Sequence, residues 1–214
     1  MIETHRPLIL ATDVTLEQYM DQYAEMGCEW VEGTVYKLAP VGIGHEEIRN
    51  YLRDLLRACF SLNPIGRVLG EPIVLRLPAF PRRRREPDLM IVLKTNTQAE
   101  IKGTYLDGPA NICIEIVSPC SVITDHGEKL EEYELGGVGE YWIIDPTHNE
   151  CRFHRLNEQK RYEAVSEDQH GIYITPQLPR LQLHVPTLWH DVLPDFYEVG
   201  DAVRAMLNPK DKDC

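Results

Sequence analysis

The apolar positions of this chain follow two periods, and the switch between them marks its elements. Ile112, Ile114 and Ile116 alternate with Cys113, Glu115 and Val117, so a strand is predicted with one aliphatic face and one face presenting Glu115. The pattern then turns helical. Asp125 reads as an N-cap, Glu128 three positions on completes a capping box, and Gly136-Gly137 gives the stop. At about 100° per residue, Asp125, His126, Lys129, Leu130 and Tyr133 share one side, while Glu128, Glu131, Glu132 and Glu134 cover the rest. The helix therefore turns its only lysine inward, unless Lys129 only pairs with Glu128 or Glu132 on a solvent face. A second apolar strand follows and ends at Pro146.

Elsewhere the same two periods recur. Residues 1 to 11 read as an arm, and Thr15 with Gln18 forms a capping box for a helix through Leu16, Tyr19, Met20, Tyr23 and Met26, ending at Gly27. Trp30, Glu32, Thr34, Tyr36 and Leu38 alternate with Val31, Val35 and Lys37 in a strand or hairpin bent at Gly33, where Glu32 is the carboxylate out of pattern. A long helix runs from His45 with Ile48, Leu52, Leu55 and Cys59 on one stripe. His45 lies about 60° from the centre of that stripe and Glu46 about 160°, so His45 is the residue this helix would give to a site, unless it only caps the helix or fills the core.

Arg67 to Leu77 reads as a strand, and Asp88 follows Pro87 to open the apolar strand Leu89 to Leu93. Residues 94 to 110 read as a loop or short helix. CRFHRL and KRYEAV predict a hairpin, LQLHV another strand, and Phe196 to Leu207 an amphipathic helix before a flexible tail at 208 to 214.

Composition narrows the class. Hydrophobic residues at 43% and charged ones at 26% are ordinary globular usage, and with no repeat or linker the expectation is a single domain over residues 1 to 214. No apolar run reaches about 18 residues and no charged-then-apolar leader is present, which predicts a cytoplasmic protein with no membrane partner. Cys28, Cys59, Cys113, Cys120, Cys151 and Cys214 include no Cys-x-x-Cys pair, so they read as reduced thiols. A net charge of −12 repels nucleic acid at long range, so a DNA partner must be met by a local basic patch or through bound cations. Arg82, Arg83, Arg84 and Arg85 form such a run, either a solvated loop or a phosphate contact.

Two charges remain out of place. A buried unpaired carboxylate costs of order ~5 kcal/mol, so Glu115 must be paired, protonated or bound to a metal. With Asp88 it would hold a hard cation such as Mg²⁺ or Mn²⁺ through oxygen, and Lys129 would orient or deprotonate the attacking water or stabilise phosphoryl charge. That chemistry is metal-assisted phosphodiester hydrolysis.

REPDLMIV followed by ICIEIVSP and ITDHGEKLEEYELGGVGEYWIIDP resembles the Uma family of restriction endonucleases, within the PD-(D/E)XK nuclease superfamily. WVEGTVYKLAP, the His45 helix and QLPRLQLHV extend the likeness over nearly the whole chain. The resemblance implies an α/β restriction-endonuclease-like core, a mixed sheet flanked by helices, with an added N-terminal helix and hairpin. It implies Asp88 and Glu115 as metal ligands, Lys129 as the catalytic lysine displaced from the usual position, where Val117 stands, and Asp125 as its accessory partner. DNA is the implied substrate, and a homodimer would suit cleavage of both strands. Two other readings stand beside it: a catalytically inactive module of the same fold for DNA binding or protein assembly, and a phosphohydrolase acting on another ester.

Overall fold

In the computed structural model, which describes residues 8–208, β1 (Leu8–Ala11) and α1 (Leu16–Gln22) precede a hairpin of β2 (Cys28–Val31) and β3 (Thr34–Lys37). Helix α2 (Ile43–Leu62) leads to β4 (Gly66–Gly70), β5 (Val74–Arg76), β6 (Arg83–Arg84) and β7 (Leu89–Leu93), and a second hairpin joins β8 (Glu100–Lys102) to β9 (Tyr105–Asp107). Strand β10 (Ile112–Ile116) runs through a π-helical turn, Thr124–Glu128, into α3 (Lys129–Gly136) and then β11 (Glu140–Asp145). The described chain closes with β12 (Glu150–Leu156), β13 (Tyr162–Val165), β14 (Ile172–Ile174), β15 (Gln182–His184), a 3-10 turn at Val185–Trp189, and α4 (Phe196–Leu207).

Six strands form the central sheet in the order β13-β12-β11-β10-β7-β4. Only β10 and β11 are parallel neighbours, and α3 makes the crossover that a parallel pair requires. The middle strands β7, β10 and β11 are buried along their whole length, which is why they read as almost continuous aliphatic runs. On one face Leu89, Ile91, Ile112, Ile114 and Ile116 pack against Leu52, Leu55 and Leu56 of α2 and Val199 and Val203 of α4. On the other, Met90, Cys113 and Val117 meet Tyr133 of α3 with Leu75 and Leu106. A third cluster of Tyr19, Trp30, Val35 and Val74 supports the four-stranded sheet β1-β3-β2-β6. The expected mixed sheet flanked by helices, with an N-terminal helix and hairpin, is the architecture observed.

Several local expectations are corrected. Leu8–Ala11 is not an arm but an edge strand paired with β3; residues 1–7 of that arm, and the tail from 209 on with Cys214, lie outside the described residues. Helix α1 ends at Gln22, short of Gly27, because the chain already turns through Tyr23 to Met26. The single strand expected over Arg67 to Leu77 is two strands in different sheets, β4 against β7 and β5 against β9, parted where Pro72 has no N–H to give a ladder. Residues expected as loop or short helix form the β8–β9 hairpin. Asp125 is not an N-cap: Ile123 before it is already helical, and the Asp125 N–H donates to the Ser121 carbonyl at 2.8 Å inside the helix. The stop at Gly137 is as expected, a left-handed residue at φ 84° whose neighbour Val138 closes the last turn onto the Tyr133 carbonyl.

Candidate active site

The site forms where β10 and β7 end beside α3. Their register sets Cys113 opposite Met90 and Ile114 opposite Leu89, so one further step brings Glu115 level with Asp88. The Ile116 N–H confirms the approach by donating to Asp88 Oδ2 at 2.7 Å. Both carboxylates line the same cleft, with Glu115 met by Tyr133 and Lys129 of α3 and Asp88 met by His45 at the start of α2.

The π-helical turn supplies the third group. Its wider ring, closed by the Lys129 N–H on the Thr124 carbonyl, keeps Asp125 and Lys129 facing the sheet together. Lys129 Nζ lies 3.0 Å from Glu115 Oε1, 3.2 Å from Glu29 Oε1 and 3.1 Å from Asp125 Oδ1. One ammonium with three donors is thus shared by three buried carboxylates. The Tyr133 hydroxyl donates to Glu115 Oε1 at 2.8 Å and fixes that carboxyl from the helix side.

Glu29, which sequence reasoning missed, lines the cleft, whereas Glu32, expected as an accessory residue, does not. Glu32 and Gly33, at φ 52° and 91°, are the two residues of a hairpin turn between Val31 and Thr34. The Glu32 side chain is 53% exposed and pairs with Arg82 at 2.7 Å, away from Lys129. The signal was present: an X-Gly two-residue turn sets the phase of the hairpin, and Glu29 then shares a face with Val31 rather than with the core residues Cys28 and Trp30.

The arginine run is not a solvated loop: Arg84 and Arg85 are buried and Arg83 is paired, which leaves Arg82 as its exposed member. Arg85 is buried, reaching Glu29 Oε2 at 2.8 Å, Glu132 Oε2 at 2.9 Å and Glu128 Oε2 at 3.2 Å. Arg84 is buried and donates to the carbonyls of Pro81 at 3.1 Å and Arg83 at 2.6 Å. Arg83 pairs with Glu132, and only Arg82 is mostly exposed. Pairing of β6 with β2 draws the run inward, where a planar guanidinium suits two carboxylates at once. Glu132, expected on the outer side of α3, is buried for the same reason.

His45 reaches the site from the start of α2, with Nε2 3.4 Å from Asp88 Oδ1 and a buried Nδ1 that has no partner among the described residues. Behind it Arg49 pairs with Glu71. Val117 is packed in the core where the usual motif has its lysine. Asp88, Glu115, Lys129, Asp125, Glu29 and His45 all line one cleft of about 340 Å³.

The charges in this cleft do not balance. Burial, with Asp125, Asp88 and Glu29 nearby, holds the Glu115 carboxyl well above the ordinary carboxylate range in spite of Lys129. Burial also raises Asp125. Glu29 is also buried, but Lys129 and Arg85 together overcome that burial and lower it. Burial opposes the charge on Lys129, yet Asp125, Glu115 and Glu29 hold it well above the usual lysine value. His45 is likewise raised, because the bond to Asp88 outweighs burial. Among the described residues, no three His, Cys, Asp or Glu side chains converge closely enough to hold a metal ion by themselves.

A mixed sheet whose strand ends present paired carboxylates beside a lysine defines a nuclease-like α/β protein. The chain belongs to the Uma2 family, described as "Putative restriction endonuclease", whose profile matches residues 16–186. It is similar to a solved structure, a "putative nuclease belonging to DUF820" from Anabaena variabilis ATCC 29413, with a TM-score of 0.65 and 20% identity over 82% of this chain and 97% of that one. At that identity the likeness establishes the fold, which is restriction-endonuclease-like. No curated protein matches. No helix of the described residues is long and apolar enough to cross a membrane.

Proposed function

We propose that this protein is a Mg²⁺-dependent nuclease that hydrolyses DNA phosphodiester bonds, with Asp88 and Glu115 as the metal ligands and Lys129 as the catalytic cation. The observation that carries this reading is the surplus of carboxylates around Lys129. Glu115 shares a single ammonium with Glu29 and Asp125, and a divalent cation would supply the positive charge that such a carboxylate cluster lacks. The donor set fits. Mg²⁺ is commonly held by one or two carboxylates, with water and substrate phosphate completing its shell, so a cluster of three protein ligands is not required.

When bound, the cation would supply positive charge to the phosphoryl oxygens and acidify a coordinated water. The chain's own residues do the rest. The Ile116 N–H and Tyr133 hydroxyl fix Asp88 and Glu115. Lys129, held charged by its carboxylates, acts as a donor to the attacking water or a phosphoryl oxygen rather than as the base. The water oxygen forms the new P–O bond, the bond to the leaving sugar oxygen breaks, and that oxygen takes up a proton as the water gives one up. Cytoplasmic location and a two-fold dimer belong to the same reading.

Incubation of the purified protein with DNA and Mg²⁺ tests it: cleavage is expected, and it should vanish in Asp88→Asn and Glu115→Gln. A second reading, a non-catalytic module of the same fold, is favoured by the closed pairing of Lys129 with three carboxylates. Absence of cleavage, together with DNA binding that is indifferent to both carboxylates, would select it.

A further inference from the structure

The cleft has two chemically different walls. On its floor the side chains of Asp88, Glu115 and Lys129 are only 7%, 5% and 5% exposed. The facing wall is largely apolar, and the β2–β3 hairpin explains why. Cys28, Trp30 and Val35 are committed to the N-terminal core, so strand alternation turns Glu29, Val31 and Tyr36 to the opposite face, where they line the cleft. Leu38, Ala39 and Val41 continue that wall. Glu29 and Tyr36 are directly paired across the hairpin, and Glu29 Oε1 is 3.2 Å from Lys129 Nζ. The half-buried Tyr36 ring is therefore one cross-strand step from the candidate reacting groups.

A phosphodiester has to descend to that floor to be cut. About 340 Å³ of space is at the lower end of sites that enclose a single small molecule, room for one nucleotide unit. A duplex also keeps its bases stacked inside and offers only its phosphate ridge, which proteins grip with unpaired lysines and arginines. Here the protein carries a net charge of −12, Arg84 and Arg85 are buried, and of the cations lining the cleft Lys37 is turned onto the Met26 carbonyl and Arg83 onto Glu132, so phosphate contacts alone hold neither duplex nor single strand. An unpaired nucleotide offers something the wall can use: the face of its base, which stacks on an aromatic ring whatever the sequence.

We propose that the cleft takes an unpaired nucleotide from a single-stranded segment of DNA, such as a flap, gap or melted end. The base stacks on Tyr36 beside Val31 and Leu38, and the phosphate comes down onto Asp88 and Glu115. The position of the phosphate rests on the hydrolytic reading above. The capture of the base rests on the hairpin wall.

Fluorescence anisotropy with a labelled oligonucleotide, either single-stranded or annealed to its complement, tests this with the full chain in Ca²⁺, used in place of Mg²⁺. The single strand is expected to bind about tenfold more tightly than the duplex. Tyr36→Ala and Tyr36→Leu should each lose about tenfold of that affinity, and Tyr36→Phe should keep it. Tyr36→Leu retains the bulk of the wall, and a thermal melt verifies that each variant is folded. Equal or tighter binding of the duplex, or unchanged affinity in folded Tyr36→Leu, would overturn the proposal. Cutting in Mg²⁺ separates it from the hydrolytic reading. Tyr36-dependent binding of single strands without cutting leaves base capture standing and removes hydrolysis. Cutting of duplex with no dependence on Tyr36 does the reverse.

Discussion

Glu115 on β10 and Glu140 on β11 are buried glutamates on adjacent strands of one sheet, and their surroundings are opposite. Glu140 accepts from Trp142 Nε1 at 2.9 Å, Arg155 Nε at 2.9 Å, Tyr173 OH at 2.8 Å and Thr175 Oγ1 at 2.5 Å. Its lone pairs are filled by donors from β11, β12 and the segment around β14, so it ties the C-terminal region to the sheet. Glu115 has Tyr133 and a share of Lys129, and it faces a cleft with Asp88, Asp125 and Glu29 as company. A saturated buried carboxylate is architecture, whereas an undersupplied one in a cleft marks a site.

The comparison breaks most visibly in paired substitutions. Glu115→Gln should abolish nuclease activity, a loss of about a thousandfold or more, while stability changes by only about 1 kcal/mol, since the amide oxygen still accepts from Tyr133 and Lys129 keeps Glu29 and Asp125 as partners. Glu140→Gln should do the opposite. It strands Arg155 beside a neutral group and lowers stability by about 3 kcal/mol in denaturant unfolding, with activity per folded molecule unchanged. If the two variants behaved alike, the distinction between them would fail.

A smaller contrast lies within the arginine run. Arg85→Ala leaves Glu29 and Glu132 buried without their guanidinium and should cost about 3 kcal/mol. Arg82→Ala, which breaks an exposed pair with Glu32, should change stability by less than about 0.5 kcal/mol. Equal costs in chemical denaturation would mean that the run acts as a surface patch after all.

The smallest effect concerns Asp145 at the end of β11, which like Glu140 has a full set of partners. Burial alone would raise it, but the His148 ring at 2.7 Å and the Thr147 and His148 N–H groups overcome burial and hold it below its ordinary value of 3.8. A depressed folded value stabilises the protein above pH 3.8, and that contribution is lost as pH falls through the lower folded value. Asp145→Asn should therefore flatten the acid limb of a stability-against-pH curve and leave the neutral limb parallel to that of the parent. An unchanged acid limb would show that its partners do not hold it in solution.

What the sequence made legible follows the same physics. Strands β7, β10 and β11 stood out as aliphatic runs, and within them Asp88 and Glu115 were visible as carboxylates that had no reason to be there. Lys129 was visible because it fell on the inward side of α3. Glu29 was not, because its face depends on the phase set by the Glu32-Gly33 turn, and a one-residue error moves every side chain to the wrong side. The four arginines carry no periodicity, so nothing local could tell Arg85, locked between carboxylates, from exposed Arg82. The pattern at Asp125 matched a capping box, but the helix had already begun before it and widens into a π-turn there, a feature that apolar periodicity does not encode.

On the proposed function, Asp88 and Glu115 together hold a divalent cation in front of Lys129. A crystal soaked with Mn²⁺ in the presence of a short oligonucleotide tests it most directly by anomalous scattering. One peak is expected between the two carboxylates, with oxygen ligands at about 2–2.6 Å and a phosphate oxygen or water completing the shell. A peak elsewhere, or a cleft in which Lys129 alone bridges the carboxylates at saturating Mn²⁺, would contradict it.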